Sequence, residues 1–179
     1  MLLYFHYSGE RGNMGWQSHY ESPLGPMTLY SEDGKSLWGL WFDGQAYDKS
    51  LMDQVEGVDE RELPVFRKTK EWLNIYFQGK DPGWLPELVL TGSPFRKMVA
   101  EEMMKIPFGK TVTYGEISLA ISKKQGRKSS PRAVGGAVGH NPISLIIPCH
   151  RVIGINGKLT GYAGGLNRKT ALLKNEGMM

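Results

Sequence analysis

Pro148-Cys149-His150-Arg151-Val152 is the most informative stretch of this 179-residue sequence, because it holds the only cysteine of the chain. A lone thiol has no disulfide partner within the chain, so its remaining roles are packing in the core or chemistry. The apolar run Leu145-Ile146-Ile147 precedes it, and an imidazole and a guanidinium follow it. This neighbourhood favours chemistry and predicts a thiolate, which is the nucleophilic form of cysteine.

A nucleophile of this kind needs a base and a group that orients the base. His150 is adjacent to Cys149, but neighbouring side chains in an extended chain point to opposite faces. A bridging water or a tight turn after Pro148 would therefore have to couple the two side chains. Four acidic residues beyond residue 90 could orient the imidazole, and spacing does not choose among them: Glu101, Glu102, Glu116 and Glu176.

Charge is distributed unevenly along the chain. Residues 1–90 hold 8 Lys and Arg against 14 Asp and Glu, whereas residues 91–179 hold 14 against 4. The two halves therefore carry −6 and +10, which sum to the +4 of the whole chain. A half this basic predicts a polyanionic partner, most simply nucleic acid, with a solvated basic surface as the alternative.

Several other function classes lack their sequence signatures. No apolar run approaches the ~18 residues that span a bilayer, so we expect no membrane association. The N-terminus shows no secretory leader, and a single cysteine without an export signal indicates a reducing, cytoplasmic location. The four histidines show no HExxH spacing and no glycine-rich phosphate loop follows a strand, so we expect no metal and no cofactor.

The N-terminal half predicts a small sheet with one helix packed on it. A loose leader occupies 1–15, and turn sequences then separate three strand-like runs, at 16–21, 27–31 and 36–42. Apolar side chains recur at helical spacing over 65–76. The aromatic side chains expected in the core are Trp38, Trp41, Trp72 and Phe77. Prolines and glycines in 80–92 predict a linker.

The C-terminal half is predicted to be mostly helical. Helices are expected from Ser93-Pro94, over 114–122, from Ser130-Pro131 to Gly139 and over 167–176. A basic loop at 123–128 joins the middle two, which is consistent with a helix-turn-helix, although any helical hairpin gives a similar pattern. Asn156-Gly157 predicts a tight turn. We therefore predict an α+β fold with three parts: a leader at 1–15, an N-terminal domain at 16–90 and a C-terminal domain at 91–179.

The helix predicted at 131–139 is unusual because it contains two interior glycines, Gly135 and Gly136. Each costs about 1 kcal/mol of helix stability relative to alanine. Such a helix makes sense if its backbone must approach another surface closely, either a neighbouring helix or a nucleic acid. Arg132 in its first turn favours the nucleic acid.

Several motifs together resemble the O6-alkylguanine-DNA alkyltransferase family. The hexapeptide 147–152 resembles the active-site signature of that family, and 132–137 resembles its recognition helix. The remaining matches are the lead into the helix-turn-helix, the hinge, the pocket loop and the C-terminal helix end, at 106–114, Asn141-Pro142, 161–166 and 175–177. The resemblance covers nearly all of 93–177 and is looser in the N-terminal half, for which it implies an RNase H-like fold.

The resemblance implies direct-reversal DNA repair in which the protein binds duplex DNA through the minor groove and flips the damaged guanine into a pocket. Cys149 would take the alkyl group from O6-alkylguanine, and less efficiently from O4-alkylthymine, once per molecule. A Cys149–water–His150–Glu176 network would activate the sulfur, and Asn141 would brace the turn that carries it. The protein would act as a monomer.

The same resemblance implies the remaining site residues. The substrate pocket would be lined by Tyr162, Val152, Ala163 and Lys169. The DNA would be contacted by Tyr114, Arg132, Ala133, Gly135 and Gly136. Tyr162 would donate to the departing guanine, while the main chain near Val152 would accept from its exocyclic amine. Arg132 would fill the vacated place in the base stack and Tyr114 would help to rotate the phosphate.

This chain departs from the family pattern at a few positions. Ala163 stands where a serine is often seen, and Ser144 stands where some members have a second proline. The zinc reported for some relatives needs N-terminal cysteines, which this chain lacks. The resemblance therefore implies no metal here.

Three other functions fit part of the sequence. A non-catalytic, lesion-binding relative would have its nucleophile replaced, commonly by tryptophan, whereas Cys149 is present. A helix-turn-helix regulator with a structural cysteine would leave His150 and the pocket-like loop unexplained. A cysteine hydrolase would turn over repeatedly and would not need a basic face.

Overall fold

The N-terminal half forms a four-stranded sheet in the computed structural model, which describes residues 14–46 and 57–179. Its strands are β1 (Met14–Ser22), β2 (Gly25–Ser31), β3 (Gly39–Phe42) and β4 (Gly57–Glu60). The strand order is β3-β2-β1-β4, with β1–β2 and β2–β3 antiparallel and β4 parallel to β1. The sequence did not predict β4, because this short edge strand carries two acidic residues and no apolar alternation.

Two strand boundaries differ from the prediction. β1 begins at Met14, inside the predicted leader, whose residues 1–13 lie outside the described part of the chain. β3 begins three residues later than predicted, because Asp33 Oδ1 accepts the N–H groups of Lys35 (2.8 Å) and Ser36 (2.7 Å) and holds them in a turn.

The predicted linker 80–92 is bound to the sheet domain. The N–H of Leu37 donates to Glu87 O (2.7 Å), and the N–H of Val89 donates to Leu37 O (3.0 Å). These two hydrogen bonds form an isolated bridge between Leu37 and Leu88. The segment therefore continues the sheet domain before the chain enters the helical half.

Helix α1 (Pro64–Tyr76) packs against the sheet. Pro64 at its first turn has a φ suited to a helix start, and the apolar residues recur on one face, which is buried: Val65, Phe66, Thr69, Trp72, Leu73 and Tyr76. Lys70 of α1 donates a hydrogen bond to Ser18 of β1, and Tyr20 of β1 donates one to Asn74 of α1. Trp41 and Trp72 are buried as predicted, whereas Trp38 and Phe77 are only partly buried.

The C-terminal half contains four helices, two 3-10 helices and a two-stranded parallel sheet within the described residues. The helices are α2 (Pro94–Met104), α3 (Tyr114–Gln125), α4 (Pro131–Gly139) and α5 (Leu166–Asn175). The strands β5 (Val112–Thr113) and β6 (Val152–Ile153) pair in parallel, and the 3-10 helices are Cys149–Arg151 and Ile155–Gly157. Across 14–46 and 57–179, every helix is too short or too polar to cross a membrane.

Side-chain caps explain where the helices of this half begin. The hydroxyls of Ser93 and Ser130 accept N–H bonds from the first turns of α2 and α4. Thr113 and Glu116 form a reciprocal capping box at the start of α3. These caps confirm the predicted helix starts.

Helix α3 is one turn longer than predicted. Lys123 and Lys124 belong to its last turn rather than to the basic loop, and Gly126 ends it with a left-handed φ of 64°. Lysine is a good helix former and its charge interacts favourably with the C-terminal carbonyl groups. Lys124 also pairs with Glu102 of α2 at 2.8 Å, and this ion pair stabilises the helical conformation of the three residues after Ser122.

The two halves are joined by main-chain hydrogen bonds at the edge of β3. The N–H of Leu40 donates to Pro142 O (2.9 Å), and the N–H of Ser144 donates to Leu40 O (2.7 Å). One cluster of buried apolar side chains runs through the sheet, α1 and the C-terminal helices. The predicted α+β fold is confirmed, and the segment that leads to Cys149 is held against β3.

Candidate active site

Cys149 lies at the start of the 3-10 helix Cys149–Arg151, and only 5% of the residue is exposed. Asn141 Nδ2 lies 3.1 Å from the sulfur and 2.8 Å from Ile147 O, while Asn141 Oδ1 accepts the N–H of Ile143 at 3.1 Å. The buried amide of Asn141 thus ties the chain after α4 to the turn that carries the thiol.

The environment of the thiol differs from the one that the sequence predicts. Burial raises the pKa of Cys149, while the hydrogen bond from Asn141 and the positive charge of Lys169 act in the opposite direction. The adjacent imidazole therefore does not give a standing thiolate. The thiol must lose its proton to a base when it reacts.

His150 is fully buried, and its Nε2 lies 2.6 Å from Glu176 Oε1. A carboxylate can only accept, so this short contact places the proton of the imidazole on Nε2. Burial lowers the pKa of His150, although Glu176 acts in the opposite direction. The Nδ1 atom is buried without a hydrogen-bond partner among the described residues. A neutral imidazole with a free lone pair on Nδ1 is a base.

Glu176 is the acidic residue at this site, which the sequence left open among four. Its carboxylate accepts from Arg151 Nε (3.1 and 2.9 Å), the N–H of Gly109 (3.0 Å) and the hydroxyl of Tyr76 (2.8 Å). Burial alone would raise the pKa of Glu176, but hydrogen bonds from His150, Arg151 and the N–H of Gly109, together with the charge that His150 carries when it is protonated, lower it to about 2. The carboxylate is therefore ionised at neutral pH.

The other three candidate glutamates have different roles. Glu101 and Glu102 pair with Lys124 near the surface. Glu116 caps α3 through its hydrogen bonds to Thr113. None of these three is bonded to His150.

Lys169 is a fully buried cation on α5. Its Nζ donates to Val152 O at 2.6 Å and to Thr160 O at 3.0 Å. Burial lowers its pKa to about 8, against a smaller raising effect from Cys149. The Val152 carbonyl, predicted to accept from a substrate, is thus already engaged through one of its two lone pairs.

A cavity of about 540 Å³ opens between α4 and the loop before α5. Its lining residues are Tyr114, Pro131, Arg132, Gly135, Val138, Gly139, Thr160, Gly161, Tyr162 and Ala163. The hydroxyl of Tyr162 is buried and makes no hydrogen bond within the described chain. Burial raises the pKa of both Tyr114 and Tyr162, and the negative charge of an ionised Cys149 raises them further. Tyr162 therefore keeps its proton and remains a hydrogen-bond donor.

The outer face of α4 is open. Arg132, Ala133 and Gly136 are exposed there. A Cβ added at Gly136 would meet nothing within 4 Å, and one added at Gly135 would make only an ordinary contact of 3.8 Å with Tyr114. Packing within the protein therefore does not require these two glycines. This favours the interpretation that α4 approaches another molecule.

The loop on the other side of the cavity is held by the N-terminal half. Arg168 donates to Leu24 O (2.9 Å) and Gly164 O (3.2 Å), and its guanidinium lies 4.6 Å from the centre of the Phe42 ring. The N–H of Ala46 donates to Ala163 O at 3.2 Å. The sheet domain therefore fixes one wall of the cavity.

Family models match both halves of the chain. The model described as 6-O-methylguanine DNA methyltransferase, DNA binding domain, matches residues 94–178, and the ribonuclease-like domain of the same enzyme matches 17–82. The methylated-DNA–protein-cysteine methyltransferase of Mycobacterium tuberculosis is 43% identical over 161 residues, which are 88% of this chain and 92% of the relative. The chain belongs to the 6-O-methylguanine DNA methyltransferase family. The relative of the same name from Methanosarcina acetivorans is 41% identical, covering 88% and 96%.

Solved structures of this methyltransferase family share the fold. The M. tuberculosis OGT in complex with DNA has a TM-score of 0.78 at 41% identity and covers 90% of this chain and 93% of that one. The O6-methylguanine-DNA methyltransferase of Pyrococcus kodakaraensis has a TM-score of 0.63 at 26% identity, covering 92% and 99%. The resemblance inferred from the sequence is therefore confirmed.

In this methyltransferase family member, the predicted site residues fall into three groups. One group is buried: Cys149, His150, Asn141, Glu176, Lys169 and Val152. The cavity wall contains Tyr114, Arg132, Gly135, Tyr162 and Ala163. Ala133 and Gly136 are not among the cavity residues and lie on the exposed face of α4.

Sequence reasoning missed three partners of Glu176 in this family member. Arg151 and Gly109 lie inside the motifs that carry the resemblance, so attention to every motif position could have found them. Tyr76 carries no such signal, because in the sequence it is only the last apolar position of α1.

Proposed function

We propose that this methyltransferase repairs DNA by direct reversal, moving the alkyl group of O6-alkylguanine, and less efficiently that of O4-alkylthymine, onto Cys149. The observation that carries the proposal is the buried thiol beside a neutral imidazole whose Nε2 is bound by the ionised Glu176. Such a pair can generate a nucleophile only when a proton is taken from the sulfur. Both relatives described above are named methylated-DNA–protein-cysteine methyltransferase.

The proposed chemistry begins with proton transfer. A water bridging Cys149 Sγ and the free Nδ1 of His150 passes the thiol proton to the imidazole, and Glu176 stabilises the resulting imidazolium. The sulfur then attacks the alkyl carbon: the S–C bond forms and the C–O6 bond breaks, its electron pair going to the guanine. Donation from the Tyr162 hydroxyl and acceptance by the second lone pair of Val152 O hold the leaving base.

The product explains why each molecule would act once. Alkyl transfer leaves a thioether on Cys149, and a thioether has no acidic proton to return and no leaving group that water displaces readily. Asn141 would hold the reactive turn in place before the transfer. The protein is thus consumed as a reagent.

We propose that DNA reaches this site through α4. The basic C-terminal half supplies attraction to phosphate, and the open backbone face at Gly136 lets a duplex approach closely. Arg132, exposed at the first turn of α4, would take the place of the flipped base in the stack, and Tyr114 would help rotate the phosphate. The flipped guanine would enter the cavity of about 540 Å³. Action as a monomer and a cytoplasmic location remain predictions.

The first prediction is permanent labelling of Cys149. Incubation with a duplex oligonucleotide containing O6-methylguanine should add one methyl group to the Cys149 peptide, read by mass spectrometry, with no second turnover. Cys149→Ala is the control and should bind the lesion without removing its methyl group. Tight lesion binding with an unmodified wild-type Cys149 would instead identify a non-catalytic lesion-binding protein.

The same assay separates base flipping from chemistry. Arg132→Ala should slow transfer from the duplex strongly, because the vacated stack is left unfilled, while transfer from free O6-methylguanine stays close to wild type. Equal losses on the two substrates would refute the role of Arg132 in flipping.

A further inference from the structure

The His150–Glu176 pair receives a hydroxyl group from the other half of the protein. Tyr76, the last residue of α1, is fully buried. Its hydroxyl donates to Glu176 Oε1 at 2.8 Å and lies 3.2 Å from His150 Nε2. The same Oε1 atom accepts from His150 Nε2 at 2.6 Å, so the phenol and the imidazole share one carboxylate oxygen.

The position of this hydroxyl is fixed from several sides. The Tyr76 ring stacks on Trp72, with centroids 5.3 Å apart and an angle of 8°. It packs edge-on against Phe108 (6.0 Å, 78°) and His150 (6.2 Å, 76°). The side chain of Asn175 donates to Tyr76 O at 2.8 Å, which ties the end of α1 to the end of α5. Packing alone would be served equally well by phenylalanine, so the hydroxyl needs another explanation.

We propose that Tyr76 is a positioning residue of the alkyl-transfer site, whose hydroxyl keeps the proton of His150 on Nε2 and shares the charge of Glu176 Oε1 with the imidazole. This inference rests on the proposed function. Because burial raises the pKa of Tyr76, its oxygen keeps its proton and donates it to the carboxylate. The lone pairs of that oxygen are then available toward His150 Nε2. Two acceptors on the Nε2 side leave the lone pair of the ring on Nδ1.

The charges around the imidazole determine the direction of the effect. The titratable and charged groups facing this cluster come from α1, α5, the 3-10 helix and the cavity loop: Tyr76, Glu176, Lys169, Cys149, Arg151 and Tyr162. Glu176 favours the imidazolium, whereas Arg151 and Lys169 disfavour it. When the Tyr76 hydroxyl is removed, the imidazole interacts more strongly with the negative charge on Glu176 Oε1. The pKa of His150 should then rise, and less neutral base remains at mildly acidic pH.

The test compares Tyr76→Phe with Tyr20→Phe in the full chain. Tyr20, a half-buried residue of β1, also donates a hydroxyl to α1, at 2.8 Å from Asn74 Oδ1, but this hydroxyl is bonded there and not to Glu176. In Tyr76→Phe, the acid limb of the pH–rate profile of transfer should move up by about half a pH unit, which slows transfer about threefold at pH values well below that limb. The rate should return to near wild type at about pH 8.5, above this limb. Tyr20→Phe should follow the wild-type curve.

A second measurement does not depend on activity. The ring nitrogens of His150, assigned in ¹⁵N NMR spectra by their loss in His150→Gln, should show protonated Nε2 in the wild type and a raised pKa in Tyr76→Phe. If the wild type transfers no alkyl group, the proposed function fails while the spectra still test Tyr76. Proton occupancy on Nδ1 in the wild type would overturn the inference, even if Tyr76→Phe did not fold. If Tyr76→Phe slowed transfer equally at every pH, or left the His150 titration unchanged, the role of Tyr76 would be limited to packing.

Discussion

At the scale of single residues, Glu176 concentrates more of the site's hydrogen bonds than any other group described above. Its two oxygens accept from an imidazole, a guanidinium, a phenol and a main-chain N–H. The negative charge that orients His150 is therefore also part of what holds α5, α1 and the 3-10 helix together. Stability and chemistry should respond together when this carboxylate takes up a proton.

We predict that the folded protein loses stability as pH falls through the range in which Glu176 titrates. The folded pKa is about 2 and the ordinary value is 4.5, so between these values the unfolded chain binds more protons. The contribution of Glu176 to stability therefore rises with pH across this window, is complete above it, and is lost below it by on the order of 3 kcal/mol. Urea unfolding at several pH values measures this slope.

Glu176→Gln is the matched variant for this measurement. It should be less stable than wild type at neutral pH and show a flatter dependence between about pH 2 and about pH 4.5. Glu116→Gln, which alters an exposed capping carboxylate, should keep most of the wild-type slope. An unchanged slope in Glu176→Gln would show that other groups dominate acid unfolding.

The sequence predicted which residues form the site better than it predicted their contacts and their pKa shifts. Cys149 and His150 could be singled out from local context, and the motif resemblance placed Asn141 and Glu176. The raised pKa of the thiol could not be predicted, because burial depends on how distant segments pack. Tyr76 was missed for the same reason: its contact with Glu176 joins residues a hundred positions apart.

At the scale of elements, the glycines of α4 lower the stability of the helix, and packing within the protein does not require them. Two of its nine residues are interior glycines with no close neighbour that an added methyl group would strike. Ordinary helices gain stability from alanine at such positions. Selection for a bare backbone on the outer face would explain the choice.

We predict that Gly136→Ala separates stability from DNA binding. The added methyl group meets open space, so the variant should be more stable by about 1 kcal/mol, measured by thermal unfolding. The same methyl group lies on the face proposed to meet the duplex, so affinity for duplex DNA should fall. Glu71→Ala, on the exposed side of α1, should leave affinity unchanged. Unaltered DNA binding by Gly136→Ala would place the duplex elsewhere.

Elements with strong local signals were predicted and elements defined by pairing were not. Proline and serine caps gave the starts of α2 and α4, and apolar periodicity gave α1. β4 exists because Met14–Gln17 offers a partner edge, which no pattern within Gly57–Glu60 reveals. The end of α3 was misplaced because a lysine-rich segment suits both a loop and a helix C-terminus.

At the scale of the whole molecule, the halves share one core and one set of main-chain bonds. The bonds of Leu40 to Pro142 and Ser144 carry no side-chain signature, so sequence reasoning could describe each half but not how they join. This junction positions the chain that leads to Cys149.

We predict that the two halves unfold in one transition. All five tryptophans lie between residues 16 and 84, whereas most helical residues lie beyond residue 93. Tryptophan fluorescence therefore reports on the N-terminal half, and far-ultraviolet circular dichroism reports mainly on the C-terminal half. A shared core should make their urea midpoints coincide. Separated midpoints would show that the halves are independently stable.

The hydrogen-bonded junction at β3 also has a consequence for how the protein approaches DNA. Because an acidic half and a basic half are fixed against each other, the molecule is a permanent electric dipole rather than two charged bodies on a tether. In the field of a polyanion such a dipole experiences a torque before any atom touches. We expect this torque to turn the acidic half away from the duplex and the basic half toward it, which shortens the rotational search.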